Sequence, residues 1–337
     1  MKRLGTWFFI ALVALVVLLA IGITVTIGWR PFLGPRARAL TNRTFESTPQ
    51  RIARGRYIAT ALSGCSYCHT PHDWASAGTP MVVGKEGAGE VLPYADLPGR
   101  IVAPNLTPDT ETGAGRWTDD QLARAIREGI GHDGRPLFPI MPYQHYRNMS
   151  DEDLASIVVY LRSLPAVHNP LPSTDIIFPV KYLIRSAPEP VTAPVAEVDS
   201  ADQVKYGAHL VEQAGCIDCH TPQQRGQNLA GMDFAGGFPF TGAWGSVTSA
   251  NITPDASGIS YYDEALFLSV IRTGQVKARS LSSIMPVMIY KNLPDADIKA
   301  MFAYLRTVKP VRHRVDNSRP PSECKLCKQQ HGAGDEN

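Results

Sequence analysis

Two pentapeptides hold the residues of this chain whose types and spacing could do chemistry. One runs from Cys65 to His69 as C-S-Y-C-H, and the other runs from Cys216 to His220 as C-I-D-C-H. Both read C-x-x-C-H, which is the attachment motif of c-type haem. Two thiols on one turn would bond to the two vinyl groups of a haem, and the following histidine would lie beneath the iron as its proximal ligand. The motif predicts two covalently bound haem c groups on Cys65, Cys68, His69, Cys216, Cys219 and His220.

A C-x-x-C pair can also be a redox dithiol or half of a zinc site. The downstream sequence argues against both, because each pentapeptide is followed by Thr-Pro and begins a similar stretch. The motif Asn105 to Asp109 recurs at Asn251 to Asp255, and Tyr160-Leu161-Arg162 recurs at Tyr304-Leu305-Arg306. The second copy is seven residues shorter, and the difference falls in the loop from Gly78 to Gly99. A repeat of this length predicts two tandem domains.

A sixth iron ligand is expected from a thioether or a second imidazole. Met141 and Met285 are the candidates, since each precedes a proline and they occupy equivalent positions in the two copies. Methionine is more often a core residue, and there are rivals at Met149, His145, His132 and Met288. His145 is the strongest rival, but its equivalent in the second copy is Ile289. The predicted metal ligands are therefore His69, Met141, His220 and Met285.

Iron held by histidine and methionine has a raised reduction potential and no open coordination position. Such a site exchanges electrons and does not bind peroxide or oxygen. The ligand prediction therefore favours an electron carrier. The alternative, a dihaem peroxidase or a similar oxidoreductase, needs one displaceable ligand.

The fold class is expected to be mainly α, with two tandem cytochrome c-like domains after one N-terminal transmembrane helix. Apolar residues recur at helical spacing over 51–63, 118–128 and 150–164, and again over 204–214, 262–273 and 295–308. The segments beginning at Thr118 and Ser150 open with helix-capping signals. The predicted divisions are 1–30, 45–168, a proline-rich linker 169–200, 201–315 and a tail 316–337. An apolar cluster at 176–184 interrupts the linker. It could dock between the domains or against a membrane partner, and docking between the domains is the preferred prediction.

The run from Trp7 to Ile27 has no charged residue and is long enough to cross a bilayer. Lys2 and Arg3 would keep the N-terminus in the cytoplasm, which predicts a single-pass inner-membrane protein with periplasmic haem domains. The alternative is a cleaved signal peptide with its site at Ala37-Arg38-Ala39. Either alternative places the rest of the chain outside the cytoplasm.

The composition limits the remaining function classes. The 337 residues carry 33 basic and 31 acidic side chains, a balance that argues against a nucleic-acid partner. Two of the six cysteines, Cys324 and Cys327, form a third C-x-x-C that is followed by Lys328 and not by histidine. A local disulfide, or a free pair of thiols in a disordered tail, is expected there. An atypical haem and a metal site with His331 are the alternatives, although three ligands fall short of the four of a structural zinc site.

Several runs of the first copy carry a family resemblance. They are G-R-W-T-D from Gly115, A-I-R-E-G from Ala125, D-G-R-P-L from Asp133, M-P-Y from Met141 and D-E-D-L from Asp151. They resemble the cytochrome subunits of membrane-bound alcohol and gluconate dehydrogenases, over about Arg51 to Val311. The resemblance implies a cytochrome that takes electrons from a periplasmic dehydrogenase and passes them to the quinone pool or another carrier. Its redox partners would be a dehydrogenase, a quinone-linked complex or an oxidase. Those subunits carry three haems and a C-terminal anchor, whereas this chain has two motifs and an N-terminal apolar run.

Overall fold

The computed structural model describes residues 2–76, 79–94, 97–224, 226–242 and 245–332. Met1 of the predicted cytoplasmic stub, residues 78, 95 and 96 of the predicted insertion loop and residues 333–337 of the predicted tail lie outside the described residues.

The N-terminal apolar run forms one long helix, α1 (Lys2–Thr26). Its segment Gly5–Thr26 is long and apolar enough to cross a membrane, and none of it is buried against the rest of the chain. An anchor and a signal sequence both have these properties. A short helix, α2 (Arg30–Leu33), follows.

Two sets of helices then follow in the same order, and the prediction of a mainly helical chain is confirmed. The first set is α3 (Pro49–Tyr57), α4 (Cys65–His69), α5 (Asp119–Glu128), α6 (Tyr143–Tyr146) and α7 (Asp151–Ser163). Between the sets lie α8 (Val180–Leu183) and a 3₁₀ turn, Ile184–Ser186. The second set is α9 (Gln203–Gln213), α10 (Cys216–His220), α11 (Glu264–Thr273), α12 (Val287–Tyr290) and α13 (Asp295–Leu305).

Strands among the described residues form short antiparallel pairs. In the first half, β1 (Glu90–Val91) pairs with β3 (Val102–Ala103), and β2 (Gly99–Arg100) pairs with β4 (Asp175–Ile176). In the second half the pairs are β5 (Gln223–Gln224) with β6 (Gln227–Asn228), β7 (Pro239–Gly242) with β8 (Gly245–Thr248), and β9 (Gln275–Val276) with β10 (Arg279–Ser280). Near the C-terminus β11 (Ser322–Glu323) pairs with β12 (Gln330–His331).

In each domain the first long helix crosses the last one at a glycine. A Cβ on Gly55 of α3 would lie 2.0 Å from the carbonyl oxygen of Ser156 in α7. A Cβ on Gly207 of α9 would lie 1.9 Å from the carbonyl oxygen of Ala300 in α13. These are equivalent positions of the repeat, so the absence of a side chain is what lets each helix pair approach this closely.

The sequence prediction of one continuous helix before the first C-x-x-C-H differs from the structure in its last turns. After α3 the chain continues as a π-helix, Ile58–Leu62. Gly55 precedes Cys65 by one residue more than Gly207 precedes Cys216. The π-turn accommodates this extra residue, and both the glycine crossing and the C-x-x-C-H keep their places.

The two domains share a continuous apolar contact. Ala61 and Leu62 of the π-helix belong to the buried cluster of the second domain, together with Leu293 and Ile298. The Tyr57 hydroxyl also donates a hydrogen bond to the Asp297 carboxylate across the interface. The domains are therefore packed against each other through side chains of both cores.

The apolar cluster of the linker packs against the first domain, and its Tyr182 and Ile184 line one cavity together with Ile289 and Tyr290 of the second domain. Strand β4 pairs with β2 of the first domain, and α8 and the 3₁₀ turn pack against α2. The Arg185 guanidinium donates to the Pro31 carbonyl at 3.0 Å. The cluster thus covers the first domain and the segment after α1, and backbone hydrogen bonds to the edge of β2 hold it there.

Candidate haem sites

Each C-x-x-C-H forms a single-turn helix that begins after a left-handed glycine. Gly64 has φ 60° before α4, and Gly215 has φ 65° before α10. This conformation is accessible to glycine at little cost, and it turns the chain sharply out of the preceding helix. The turn places two free thiols and the histidine at the start of each cavity described below.

Both predicted proximal histidines are oriented by a backbone carbonyl. His69 Nδ1 lies 2.8 Å from the Pro104 carbonyl oxygen, and His220 Nδ1 lies 2.7 Å from that of Ala250. A ring that donates through Nδ1 has Nε2 available as a ligand, and such a partner fixes the tautomer of metal-binding histidines. In both domains the histidine ring is therefore oriented in the same way, by a hydrogen bond from Nδ1 to a backbone carbonyl.

The repeated Asn-x-Thr motif, for which the sequence alone indicated no role, holds these carbonyls in place. The Asn105 carboxamide oxygen accepts hydrogen bonds from the Thr107 amide at 3.0 Å and from its hydroxyl at 2.7 Å, and its amide nitrogen donates to the Val167 carbonyl at 2.8 Å. In the second domain Asn251 makes the equivalent bonds with Thr253 and Val311. The motif recurs because each loop must present its preceding carbonyl to a histidine.

A cavity opens beside each pentapeptide. The first has a volume of about 590 Å³, and the predicted residues Cys65, Cys68, His69 and Met141 all line it. The second has a volume of about 1140 Å³ and is lined by Cys216, Cys219, His220 and Met285. Both walls are mainly apolar. Two thiols for attachment, an imidazole and a thioether around an apolar cavity are a donor set that suits haem c, so the residues present fit the group.

The rival sixth ligands lie elsewhere. Met149 is buried in the core of the first domain, and the His132 ring stacks on Trp117 with centroids 4.3 Å apart. His145 is bonded to Asp218, and Met288 is exposed. Of the residues that the structure describes, the cavity walls include Met141 and Met285 but none of these four.

The ionisation of the buried groups differs from that of a redox dithiol. Burial raises the pKa of Cys65, Cys216 and Cys219 to about 12 and that of Cys68 to about 11. Reactive C-x-x-C pairs have lowered thiol pKa values, so this environment argues against thiol–disulfide chemistry. Burial also lowers the pKa of His69 and His220, which keeps both imidazoles in the neutral form that binds metals.

Two residues of the second domain line both cavities. Pro286 and Tyr290 belong to the wall of the first cavity and to the wall of the second. The Tyr290 hydroxyl donates to the Ala214 carbonyl at 2.7 Å, just before the second pentapeptide. Its equivalent, Tyr146, donates to the Ser63 carbonyl at 2.9 Å. The two sites are therefore neighbours that share one aromatic ring and one proline in their walls, an arrangement that the sequence repeat did not reveal.

The sequence matches known families over both domains. A family described as "Cytochrome C oxidase, cbb3-type, subunit III" matches residues 50–161, and one described as "Cytochrome c" matches residues 204–309. The chain is 31% identical to the fructose dehydrogenase cytochrome subunit of Gluconobacter japonicus, over 76% of this chain and 52% of that protein. It is 28% identical to the cytochrome c subunit of the quinone alcohol dehydrogenase of Gluconobacter oxydans, over 77% of this chain and 55% of that protein. The chain spans about half the length of these two relatives.

A third relative has nearly the same extent as this chain. It is the diheme cytochrome c-type protein of Cereibacter sphaeroides, which is 32% identical over 79% of this chain and 89% of that protein. The relatives named as cytochrome subunits or as a diheme cytochrome c favour an electron carrier over the peroxidase-like alternative. The chain thus belongs to the dihaem members of the cytochrome c family, as an electron-transfer protein with two covalently bound haem c groups.

Proposed function

We propose that this protein is a membrane-anchored cytochrome c that relays electrons from a periplasmic dehydrogenase to an acceptor of the respiratory chain. One observation carries the proposal. A C-x-x-C-H helix, a carbonyl-oriented histidine and a Met-Pro turn line one cavity in each domain, and the two cavities share Pro286 and Tyr290. A pair of adjacent redox sites of this kind forms a short electron path.

We assign haem attachment to Cys65 and Cys68 in the first domain and to Cys216 and Cys219 in the second. The iron ligands are assigned as His69, Met141, His220 and Met285. Haem supplies one-electron chemistry, and the chain's own residues fix its potential through the ligands and the apolar wall. The domain limits that we propose are 45–168 and 201–315, joined by the linker 169–200.

An uncleaved anchor is favoured by the residues just after the apolar helix. The Arg38 guanidinium forms two hydrogen bonds with the Asp120 carboxylate, at 2.7 and 2.8 Å, and one with Glu128 at 2.7 Å. Cleavage after Ala39 would remove this arginine and leave two buried carboxylates with less compensation. Because unpaired buried charge is strongly destabilising, we infer that α1 is retained and holds the haem domains at the periplasmic face of the inner membrane.

The arrangement of α2 supports an order for the two sites. Helix α2 directly follows the anchor and packs against α8 and the 3₁₀ turn. Tyr182 and Ile184 of that segment line the first cavity. We therefore place the first site next to the membrane and the second farther from it. Electrons would enter at the second site from a dehydrogenase subunit and leave at the first site to a quinone-linked acceptor.

The dehydrogenase partner rests on the relatives. The names of several of them state that they are cytochrome subunits of fructose, alcohol or gluconate dehydrogenases. Affinity purification of the full chain from detergent-solubilised membranes of its own cells tests this partner. We expect a dehydrogenase polypeptide in stoichiometric amount. Purification of the cytochrome alone, or with oxidase subunits only, would contradict it.

The ligand assignment is tested by spectroscopy of the purified full chain. The pyridine haemochrome assay should give two haems per chain, and the alanine variants of Cys65 and Cys216 should each retain one. The oxidised protein should show the far-red charge-transfer band of thioether-bound iron. Met141→Ala and Met285→Ala should each remove about half of it. An unchanged band in both variants would show that other residues bind the iron, and high-spin iron in the unmodified protein would favour the enzyme alternative.

A further inference from the structure

The C-terminal tail and the segment after α13 form a second cluster of metal-binding side chains, apart from the haem sites. One ligand atom from each of His313, Cys324, Cys327 and His331 lies within 4.8 Å of every other. His313, Cys327 and His331 are buried, and Cys324 is half-buried. The sequence supplies three of these residues as C-x-x-C-x-x-x-H. The structure adds His313, which lies too far from the two cysteines in the sequence to belong to a recognisable metal-binding motif.

Each thiol of the cluster is next to an imidazole nitrogen. His313 Nε2 lies 3.3 Å from Cys324 Sγ, and His331 Nε2 lies 3.2 Å from Cys327 Sγ. In tetrahedral coordination, bonds of about 2.3 Å to sulfur and about 2.0 Å to nitrogen place neighbouring S and N atoms roughly 3.5 Å apart. Both cysteines are free, which is one of the two states that the sequence predicted for this pair, and no disulfide joins them.

Hydrogen bonds with the surrounding backbone fix the positions of the ligands in this cluster. Cys324 and Cys327 lie in the turn between β11 and β12, where the Cys324 amide donates to the Gln329 carbonyl at 2.9 Å and the Lys328 amide donates to the Cys324 carbonyl at 2.9 Å. These bonds close the turn around both thiols. His313 Nδ1 lies 2.9 Å from the Ala235 carbonyl oxygen, which leaves Nε2 directed at the thiols. A histidine whose other nitrogen is bonded to a carbonyl is the arrangement found at metal ligands.

A close packing contact fixes the His313 ring as well. A Cβ on Gly237 would lie 2.6 Å from His313 Cε1 and 3.2 Å from His331 Nε2. Because Gly237 has no side chain, the rings of His313 and His331 can pack close to its backbone. A side chain at position 237 would occupy the space that the two rings use.

We propose that His313, Cys324, Cys327 and His331 bind one Zn²⁺ in a closed tetrahedral site. Two cysteines and two histidines are a ligand set of structural zinc sites, and four protein ligands leave no position for substrate or water. The carbonyl-bonded histidine and the closed turn supply the fixed geometry that such a site needs. The role that this assigns to the metal is structural.

The metal would fasten the tail onto the second domain. Leu326, between the two cysteines, lines the second cavity. The Gln329 side chain donates to the Gln223 carbonyl at 2.9 Å, and the Thr248 hydroxyl donates to the Gln330 carbonyl at 3.3 Å. Zinc binding would therefore hold Leu326 at the wall of the second cavity. This consequence, unlike the metal site itself, rests on the proposed haem site.

The metal content of the purified full chain tests the proposal directly. Elemental analysis should find one zinc for every two irons, and zinc X-ray absorption should show a shell of two sulfur and two nitrogen atoms. Haem iron does not interfere with the zinc edge. Iron without zinc, another metal in the zinc's place, or a shell of oxygen and nitrogen alone would overturn the assignment.

Thiol alkylation gives a second readout, because the four haem cysteines are expected to be thioether-linked and unreactive. After denaturation with a chelator and without a reductant, two cysteines should be alkylated, and peptide mapping should identify Cys324 and Cys327. A disulfide between them would leave none to alkylate and would overturn the proposal.

Variants then identify the ligands. His313→Gln and the double variant Cys324→Ser, Cys327→Ser should each lose zinc and retain two haems. His168→Gln, at an exposed histidine, is the matched control and should keep zinc. Zinc retained by His313→Gln would overturn the four-ligand site. Zinc bound normally to a chain that carries fewer than two haems would contradict the proposed function and leave the zinc site standing.

Discussion

His145 Nε2 lies 2.9 Å from both carboxylate oxygens of Asp218, across the interface between the two domains. His145 follows the Met-Pro turn of the first domain, and Asp218 is a middle residue of the second C-x-x-C-H. The hydrogen bond with Asp218 is the main cause that raises the pKa of His145. The ion pair thus joins the ligand turn of one site to the attachment helix of the other.

The sign of this shift makes the interface dependent on pH. Because folding raises the pKa of His145, the His145–Asp218 pair contributes its full stabilising free energy below the unfolded-state pKa of about 6.5. That contribution is lost as pH rises through the pKa of the folded state. We expect the free energy of unfolding to fall more between about pH 6 and about pH 8 in the unmodified protein than in His145→Gln. Urea titrations at a series of pH values measure this, with His168→Gln as control. Parallel pH profiles for the protein and the His145 variant would contradict it.

The glycine crossings should not tolerate a methyl group. In Gly55→Ala or Gly207→Ala the new Cβ would meet backbone oxygen at about 2 Å, so the helices must separate. Overpacking of this kind typically costs about 1–3 kcal/mol, and we expect the upper end because the obstructing atom is backbone. Denaturant unfolding and the yield of haem-loaded protein measure the effect. Gly22→Ala, where a Cβ meets nothing within 4 Å, is the control and should behave like the unmodified chain.

The assigned methionines predict two separable changes in potential. Replacing thioether by imidazole lowers the reduction potential of a haem. We therefore expect Met141→His to lower the midpoint of one haem and Met285→His to lower that of the other. A spectroelectrochemical titration resolves the two waves. Met288→His, exposed and outside both cavity walls, should change neither midpoint, and a shift as large as that of Met285→His would refute the assignment.

Replacing Arg38 by alanine should lower the stability of the protein far more than replacing the neighbouring Arg36. Burial opposes ionisation of Asp120, but hydrogen bonds from Arg38 and its neighbours hold the pKa of this carboxyl well below its usual range. Removing one member of a buried pair costs about 3–5 kcal/mol, and we expect about 3 kcal/mol for Arg38→Ala because Arg43 still pairs with Asp120. Thermal unfolding of the detergent-solubilised protein measures it. Arg36→Ala removes only an exposed pair of 3.7 Å with Glu189 and is the control. Equal stability of both variants would contradict a structural role for Arg38.

Local sequence signals predicted the parts of the fold that depend on neighbouring residues. Thr118 forms the predicted capping box with Gln121, and Ser150 caps α7. The repeat predicted that Met141 and Met285 would occupy equivalent positions, and each lines the cavity of its own pentapeptide. These features are readable because their determinants lie within a few residues or recur in both copies.

Features made by distant residues were not readable in the same way. His313 joins Cys324 only because α13 returns the chain to the Ala235 loop. The linker cluster docks on β2 through backbone hydrogen bonds. Such bonds do not depend on the identity of the side chains and so cannot be recognised in the sequence. Arg38 pairs with Asp120 although 81 other residues separate them. Each case depends on tertiary contacts that a periodicity or a motif does not encode.

The shared wall of Pro286 and Tyr290 has a thermodynamic consequence. Pro286 directly follows the methionine assigned to the second iron, yet it also faces the first cavity. Oxidation at one site would add a positive charge next to the other, and inside a protein such charges interact more strongly than they do in water. The second electron is then harder to remove than the first, so the two midpoints are split by mutual repulsion as well as by local environment. We therefore expect the two haems to titrate as two coupled one-electron steps, each with an apparent midpoint that depends on the oxidation state of the other.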